Sequence, residues 1–423
     1  MTNNIIKFLQ DRDFIDQKTH EDLDEILKDP ISVYLGVDPT ATALHLGHLV
    51  GIIALMHFQK KGHRPVLLVG GATGLIGDPS GKDKERPLLT EASVQQNVES
   101  IKKLLERFLD FDHPTAAPLF VNNFDWFSKM NAIEFLRDIG KQFRIGQMMG
   151  KESVRARLQS DEGMSFTEFS YQLLQGYDFY HLFKNHNVVL EIGGSDQFGN
   201  ITAGIEYIRK VTGSSAYGMT FPLLTRNDGK KFGKSEKGAI WLHEDLCSPY
   251  EFYQYLYRVS DQDVIRMMKM LTLMDINEIN KIEKEMALES YIPNSAQKRF
   301  AEEVTRLVHK EEGLKEALKA SKTVTPGKME FNEDNLLEVA KMIPNVGLKK
   351  NEVVGATYTE IVIRGGLLTS KSEVKRLVQN NGAYLNGKKI SDPNLSISSE
   401  HLLKGGFLIV SSGKKKSLLI QIL

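Results

Sequence analysis

Five stretches combine residue types that could do chemistry at spacings that bring them together. The first, Asp38-Pro-Thr-Ala-Thr-Ala-Leu-His45-Leu-Gly-His48, joins a β-rich run to an apolar helical pattern. A strand, a turn and a helix start gather unpaired N–H groups and the positive helix end, which suits an anion. Thr40, His45 and His48 at such a place fit a polyphosphate; a capped helix with surface histidines is the plainer alternative. The histidine pair lacks a nearby third ligand, so no metal site is expected. The second stretch is the glycine-rich run from Val69 to Lys82. Gly77 and Gly81 have three residues between them, and Asp83 stands where a P-loop needs Ser or Thr, so it is no Walker motif. It remains a phosphate-compatible loop carrying Lys82 and Arg86.

The third stretch is a helix opened by Ser165 and Glu168, on which Tyr171, Gln175 and Asp178 fall at i, i+4 and i+7. Much of the remaining surface is apolar, and phenol, amide and carboxylate together suit hydrogen bonding to a small ligand. An ordinary polar face remains open as the other reading. In the fourth, Ile192-Gly-Gly-Ser-Asp196-Gln197, a strand runs into a helix, and an acid there is well placed to hold a ribose hydroxyl. The fifth, Lys230-Lys231-Phe-Gly-Lys234-Ser235, has three lysines in six residues and reads as a phosphate clamp or a plain surface loop. Cys247 has no recognisable partner base and reads as structural.

The elements that must position these groups can be read from periodicity. Between residue 31 and about 224, β-rich runs at Ser32–Val37, Pro65–Gly70, Ala117–Val121, Val188–Ile192 and Met219–Leu224 alternate with helical patterns. That alternation predicts an α/β, Rossmann-like domain with a parallel sheet, assigned to residues 1–247. Residues 248–320 lack strands and open on the capping box Ser248-Pro-Tyr-Glu251, so a small all-α domain is expected. Residues 321–354 read as a linker. Residues 355–423 read as an α+β unit, with a helix after Ser370 and a hairpin turning at Asn386-Gly387.

Composition bounds the whole. The chain has 423 residues, 41% hydrophobic and 26% charged, which excludes a disordered protein and implies more than one core. One cysteine excludes an internal disulfide. The longest apolar run, Leu49–Met56, is far below the roughly 20 residues a membrane helix needs. With no targeting pattern at the start, a cytoplasmic protein is expected. Net charge is zero, yet from Gly355 onward ten Lys and Arg face four acids, a net +6 on a body of −6. A basic tail suits a polyanion partner, and a solvated surface is the alternative.

In order along the chain, these motifs resemble the class I aminoacyl-tRNA synthetases. His45-Leu-Gly-His48 is similar to the first class motif, and Lys231-Phe-Gly-Lys-Ser235 to the second. Tyr34-Leu-Gly-Val-Asp-Pro-Thr, Gly77-Asp-Pro-Ser-Gly-Lys, Ser165-Phe-Thr-Glu-Phe-Ser-Tyr and Gly193-Gly-Ser-Asp-Gln fit the bacterial-type tyrosyl branch. The resemblance spans nearly the whole chain, including an S4-like RNA-binding tail. It implies a homodimer that makes tyrosyl-adenylate from L-tyrosine and ATP with Mg2+, then charges tRNA(Tyr). Tyr34 and Asp178 would hold the phenol, Asp78, Tyr171 and Gln175 the ammonium group, with Gln197 near the carboxylate. Gly36, Asp38, Gly193 and Asp196 would contact adenosine. Thr40, His45, His48, Lys82, Arg86, Lys231, Lys234 and Ser235 would serve the polyphosphate and its transfer. Lys371, Lys375, Arg376, Lys388 and Lys389 would face tRNA. A tryptophan-specific relative and a small-molecule adenylyltransferase are the alternatives.

Overall fold

The computed structural model describes residues 4–81, 87–235, 238–323, 343–413 and 416–423. The chain divides into two compact units, Met1–Leu242 with Ile265–Glu285, and His243–Val264 with Met286–Leu423.

The first unit is built on β1 (Gln17–Lys18), β2 (Ser32–Val37), β3 (Arg64–Val69), β4 (Leu119–Asn122), β5 (Val188–Gly194) and β6 (Tyr217–Phe221). They form one sheet in the order β1-β6-β5-β2-β3-β4. Strands β2 to β6 are mutually parallel, as the alternation of strands and helices predicts. The two-residue β1, too short to read from sequence, adds to β6 antiparallel. Helix Leu46–Lys60 is apolar nearly all round, as befits an element buried against β2, β3 and β5. Helix Phe166–His186 packs on β5 and along helix Phe198–Thr212. A Cβ at Gly204 would lie 2.9 Å from the Phe179 ring, so a glycine permits that approach.

The strand order reverses between β2 and β5, which opens a crevice beyond their carboxyl ends. Sequence sends the first and fourth motifs there, since each directly follows one of these two strands. The two-stranded β7 (Lys234–Ser235) and β8 (Gly238–Ala239) carry the end of the fifth.

The region 248–320, read as one helical domain, is divided between the units. Residues 265–285 belong to the first, where the buried Arg12 guanidinium donates to the carbonyls of Lys269 (3.0 Å), Thr272 and Met274 (2.6 Å). In the second unit, helix Pro249–Tyr257 packs on Ser295–Thr323, which breaks at Lys310. Its sheet joins β9 (Asn345–Leu348), β10 (Ala383–Leu385), β11 (Lys388–Lys389), β12 (Phe407–Ser412) and β13 (Lys416–Ile422) in the order β11-β10-β12-β13-β9.

That sheet corrects the expected linker. Residues 345–353 are part of the tail fold: β9 pairs parallel with β13, and Val353 is buried in the cluster with Tyr358, Val374 and Leu408. Four alternating residues without an apolar run gave no strand signal. The hairpin forms at the expected place, with φ of 46° at Asn386 and 77° at Gly387.

Candidate active site

The crevice holds a cavity of about 280 Å³. Its lining includes Tyr34, Gly36, Asp38, Thr40, His45, His48, Asp78, Tyr171, Gln175, Asp178, Gly193, Asp196, Gln197, Lys231 and Lys234. All of these are legible in the sequence, Tyr34 and Gly36 through the family resemblance and the others also from the five stretches. Lys82 and Arg86 lie outside the described residues, and Ser235 sits in β7.

At one end of the cavity, Tyr34 and Asp178 are each 1% exposed. A carboxyl group so deep needs donors. Asn123 Nδ2 donates to Asp178 Oδ2 and Trp126 Nε1 donates to Oδ1, both at 2.9 Å. Burial still raises the Asp178 pKa well above the usual carboxylate range, against the pull of those two hydrogen bonds. Burial likewise raises the Tyr34 phenol, reinforced by Glu191, Asp178 and Asp38. Tyr34 is therefore a neutral hydroxyl, able to donate and to accept.

The polar stripe of helix Phe166–His186 is turned inward, which decides between its two readings. Tyr171 donates to Asp38 Oδ2 at 2.7 Å, and Thr73 donates to Asp38 Oδ1 at 2.7 Å. Asn123 also donates to Thr73, so Asp38, Thr73, Asn123 and Asp178 form one hydrogen-bonded chain. Gln175 Nε2 donates to Glu191 Oε1 at 2.9 Å. Across the cavity, Gln197 donates to Asp78 Oδ2 at 2.7 Å, and Asn200 donates to Gln197 Oε1 and Ser80 Oγ.

The other end is set by helix Leu46–Lys60. His45 is its N-cap, with Nδ1 accepting from Gly47 N at 3.1 Å, while His48 Nδ1 accepts from His45 N at 3.2 Å. With Nδ1 accepting, each neutral ring carries its proton on Nε2, the tautomer that can donate to an anion. The lysine motif is tied to the same turn: Leu46 N donates to Ile240 O, and Ile240 N donates to Gly233 O, both at 2.8 Å. Gly233 has φ 87°, and a Cβ there would lie 3.2 Å from Leu46 Cβ. Lys231 and Lys234 are exposed on either side of buried Phe232, which anchors the loop.

Sequence reasoning missed Glu191, Asn123, Trp126 and Thr73. Glu191 had a signal, a lone acid inside the apolar strand Val188–Gly194. Asn123 and Trp126 sit in a short segment without periodicity, and only their bonds to Asp178 mark them.

The tail residues Lys371, Lys375, Arg376, Lys388 and Lys389 are all exposed. Helix Lys371–Gln379 buries Val374 and Val378 and so turns its basic side chains outward. Lys414 and Lys415 lie outside the described residues.

Comparison with known proteins shows the family. Residues 27–325 match the model of the class I tRNA synthetases (W and Y), and residues 335–420 match the tyrosine-tRNA ligase SYY-like C-terminal domain. A tyrosine-tRNA ligase of Protochlamydia amoebophila is 52% identical over 421 residues, 99% of both chains. The chloroplastic/mitochondrial tyrosine-tRNA ligase of Arabidopsis thaliana is 46% identical, over 99% of this chain and 84% of its own. Among solved structures, a C-terminally truncated Aspergillus nidulans mitochondrial tyrosyl-tRNA synthetase matches with TM-score 0.66 and 31% identity. That match covers 75% of this chain and 92% of the other. A tryptophanyl-tRNA synthetase of Encephalitozoon cuniculi, 13% identical with TM-score 0.55, shares the fold alone. The matched C-terminal domain and the full-length identity fall on the tyrosine side, and the chain belongs to the tyrosine-tRNA ligase family of class I tRNA synthetases.

Proposed function

We propose that the first unit activates L-tyrosine with ATP and that the chain then transfers the tyrosyl group to the terminal adenosine of tRNA(Tyr). The observation that carries the reading is a single cavity lined both by the buried pair of Tyr34 and Asp178 and by His45, His48, Lys231 and Lys234. A neutral phenol and a carboxyl group fixed by Asn123 and Trp126 suit a ligand hydroxyl. Asp78, Tyr171 and Gln175 are the acceptors proposed for the ammonium group, with Gln197 beside the carboxylate. Gly36, Asp38, Gly193 and Asp196 are proposed at the adenosine. Thr40, His45, His48, Lys82, Arg86, Lys231, Lys234 and Ser235 are proposed at the phosphates.

Adenylate formation needs no general base, because the attacking carboxylate is already ionised. A carboxylate oxygen of tyrosine forms a bond to the α-phosphorus of ATP while the bond from that phosphorus to the bridging oxygen breaks, and pyrophosphate leaves. The protein's part is to align two anions and to stabilise charge on the departing group, which imidazole N–H and ammonium donors do. In the second step the ribose hydroxyl, 2′ in this class, attacks the carbonyl carbon of the adenylate, the bond from that carbon to the phosphate oxygen breaks, and AMP leaves while the hydroxyl proton passes to its phosphate. Among the described residues no group of three His, Cys, Asp or Glu is placed to hold a metal ion. Magnesium is proposed to arrive with ATP, held by its phosphates.

Three further proposals concern the assembly. Ile133, Leu136, Ile145, Met149 and Phe166 are exposed apolar side chains between residues 133 and 166, which supports a homodimer. The exposed basic side chains of the tail support tRNA binding. No helix among the described residues is long and apolar enough to cross a membrane, and a cytoplasmic location is proposed. Pyrophosphate exchange into ATP, run with each amino acid, tests the reaction. Exchange with tyrosine alone is expected; exchange with tryptophan instead, or none, would replace the reading.

A further inference from the structure

We infer that Glu191 is a positioning residue of the amino-acid site, its carboxylate holding the Gln175 amide so that the carbonyl oxygen faces the cavity as an acceptor for a ligand's ammonium group. The inference rests on the tyrosine reading above and deepens it. Glu191 is 2% exposed and Gln175 8%, and both line the cavity. Gln175 Nε2 donates to Glu191 Oε1 at 2.9 Å. That leaves Gln175 Oε1 and Glu191 Oε2 buried without a hydrogen-bond partner in the protein. Two orphaned acceptors on side chains that line one cavity are costly until a donor arrives, and an ammonium group brings three.

An amide presents a donor end and an acceptor end of nearly the same shape, so its orientation is set by its partner. Once ionised, Glu191 only accepts and therefore fixes the NH2 end toward itself. A neutral partner such as glutamine would satisfy either orientation and so would not exclude the one that aims N–H groups at the ammonium. Glu191 stands opposite Tyr34 in the β2–β5 register, so it reaches the cavity from the strand while Gln175 reaches it from the helix. Burial pushes the Glu191 carboxyl up to about 8, opposed by its bond from Gln175. A cation brought beside it favours the ionised form, so ligand binding and amide orientation reinforce each other.

The test compares L-tyrosine with 3-(4-hydroxyphenyl)propanoate, which has the same skeleton without the amine. Equilibrium affinities of both are measured for the full-length protein and for Glu191→Gln. We expect tyrosine affinity to fall about tenfold and that of the amine-free acid less than about twofold, as befits one charge-assisted contact. The double variant Gln175→Glu with Glu191→Gln returns a carboxylate to the cavity and should restore the preference for the amine. Equal losses for both ligands, or an unchanged preference, would overturn the assignment. Should Glu191→Gln fail to fold, Glu191→Asp decides, since it keeps the charge and shortens the reach to Gln175: a loss confined to tyrosine supports the inference, and equal losses for both ligands overturn it. A parental protein that binds neither ligand would overturn the tyrosine reading itself, an outcome distinct from the others.

Discussion

Asp178 is tolerated at 1% exposure because Asn123 and Trp126 each donate to one of its oxygens, and the same two bonds fix the carboxyl group of a residue that lines the cavity. Trp126 also stacks on His181, with ring centroids 4.2 Å apart. Trp126→Phe keeps an aromatic ring in the stack and removes the donor. Tyrosine affinity is expected to drop about tenfold with ATP affinity unchanged, read by equilibrium binding of each substrate. Equal losses for both would make Trp126 a scaffold residue only. His63 carries a prediction of another kind. Its ring is 3% exposed and accepts from Ile31 N, and burial pushes its pKa down to about 4. Below an unfolded value near 6.5 the unfolded chain takes up this proton and the folded one does not. Its contribution is thus fully present above 6.5 and is lost as pH falls toward 4. Glu191, raised by burial, works in the opposite direction between its unfolded value and about 8. Denaturant unfolding at pH 6.5 and 4.5 should show a smaller acid loss for His63→Gln than for the parent protein.

At the scale of elements, two devices hold the site. Helix Phe166–His186 starts at Ser165, which accepts from Glu168 N, but Glu168 does not complete a capping box. It turns instead to Arg157, forming two 2.8 Å bonds, and the side chains are 5% and 3% exposed. Removing one partner strands a buried charge. Arg157→Met should therefore destabilise by about 3–5 kcal/mol, and adding Glu168→Leu should recover most of it, measured by thermal unfolding. The second device is the backbone link between the histidine turn and the lysine loop through Gly233. Gly233→Ala meets both a φ of 87° and the close Leu46 Cβ, so the loop must shift. Adenylate formation in single-turnover kinetics should slow at least about tenfold while tyrosine affinity stays put. What the sequence could tell at this scale follows periodicity and chain order. The parallel strands and the first and fourth motifs were readable because each motif directly follows a strand. Glu168's partner, β1 and β9 were not, because a pair eleven residues apart and strands of two to four residues leave no period to read.

At the scale of the whole chain, the cavity and the basic tail belong to different compact units, since the cavity lining ends at Lys234 and the tail sheet begins at Asn345. That separation predicts separable half-reactions. Cutting the chain within the tail would be a poor test. In the second unit Tyr250 and Ala320 share an apolar cluster with Phe407, Ile409 and Leu419, so a cut uncovers apolar surface as well as removing charge. Replacing Lys371, Lys375, Arg376, Lys388 and Lys389 together by alanine removes five exposed charges and leaves Val374, Val378 and the sheet core in place. If these side chains neutralise RNA phosphates, tRNA affinity should fall steeply. Its dependence on salt should also flatten, since each lost phosphate contact removes about 0.7–0.9 from the logarithmic slope. Tyrosine-dependent pyrophosphate exchange should stay at the parental rate, because no group of the cavity has changed. Charging measured across a salt series separates this from a structural role for the tail. A merely structural tail predicts an unchanged salt slope, and that result would remove the RNA contact from these five residues.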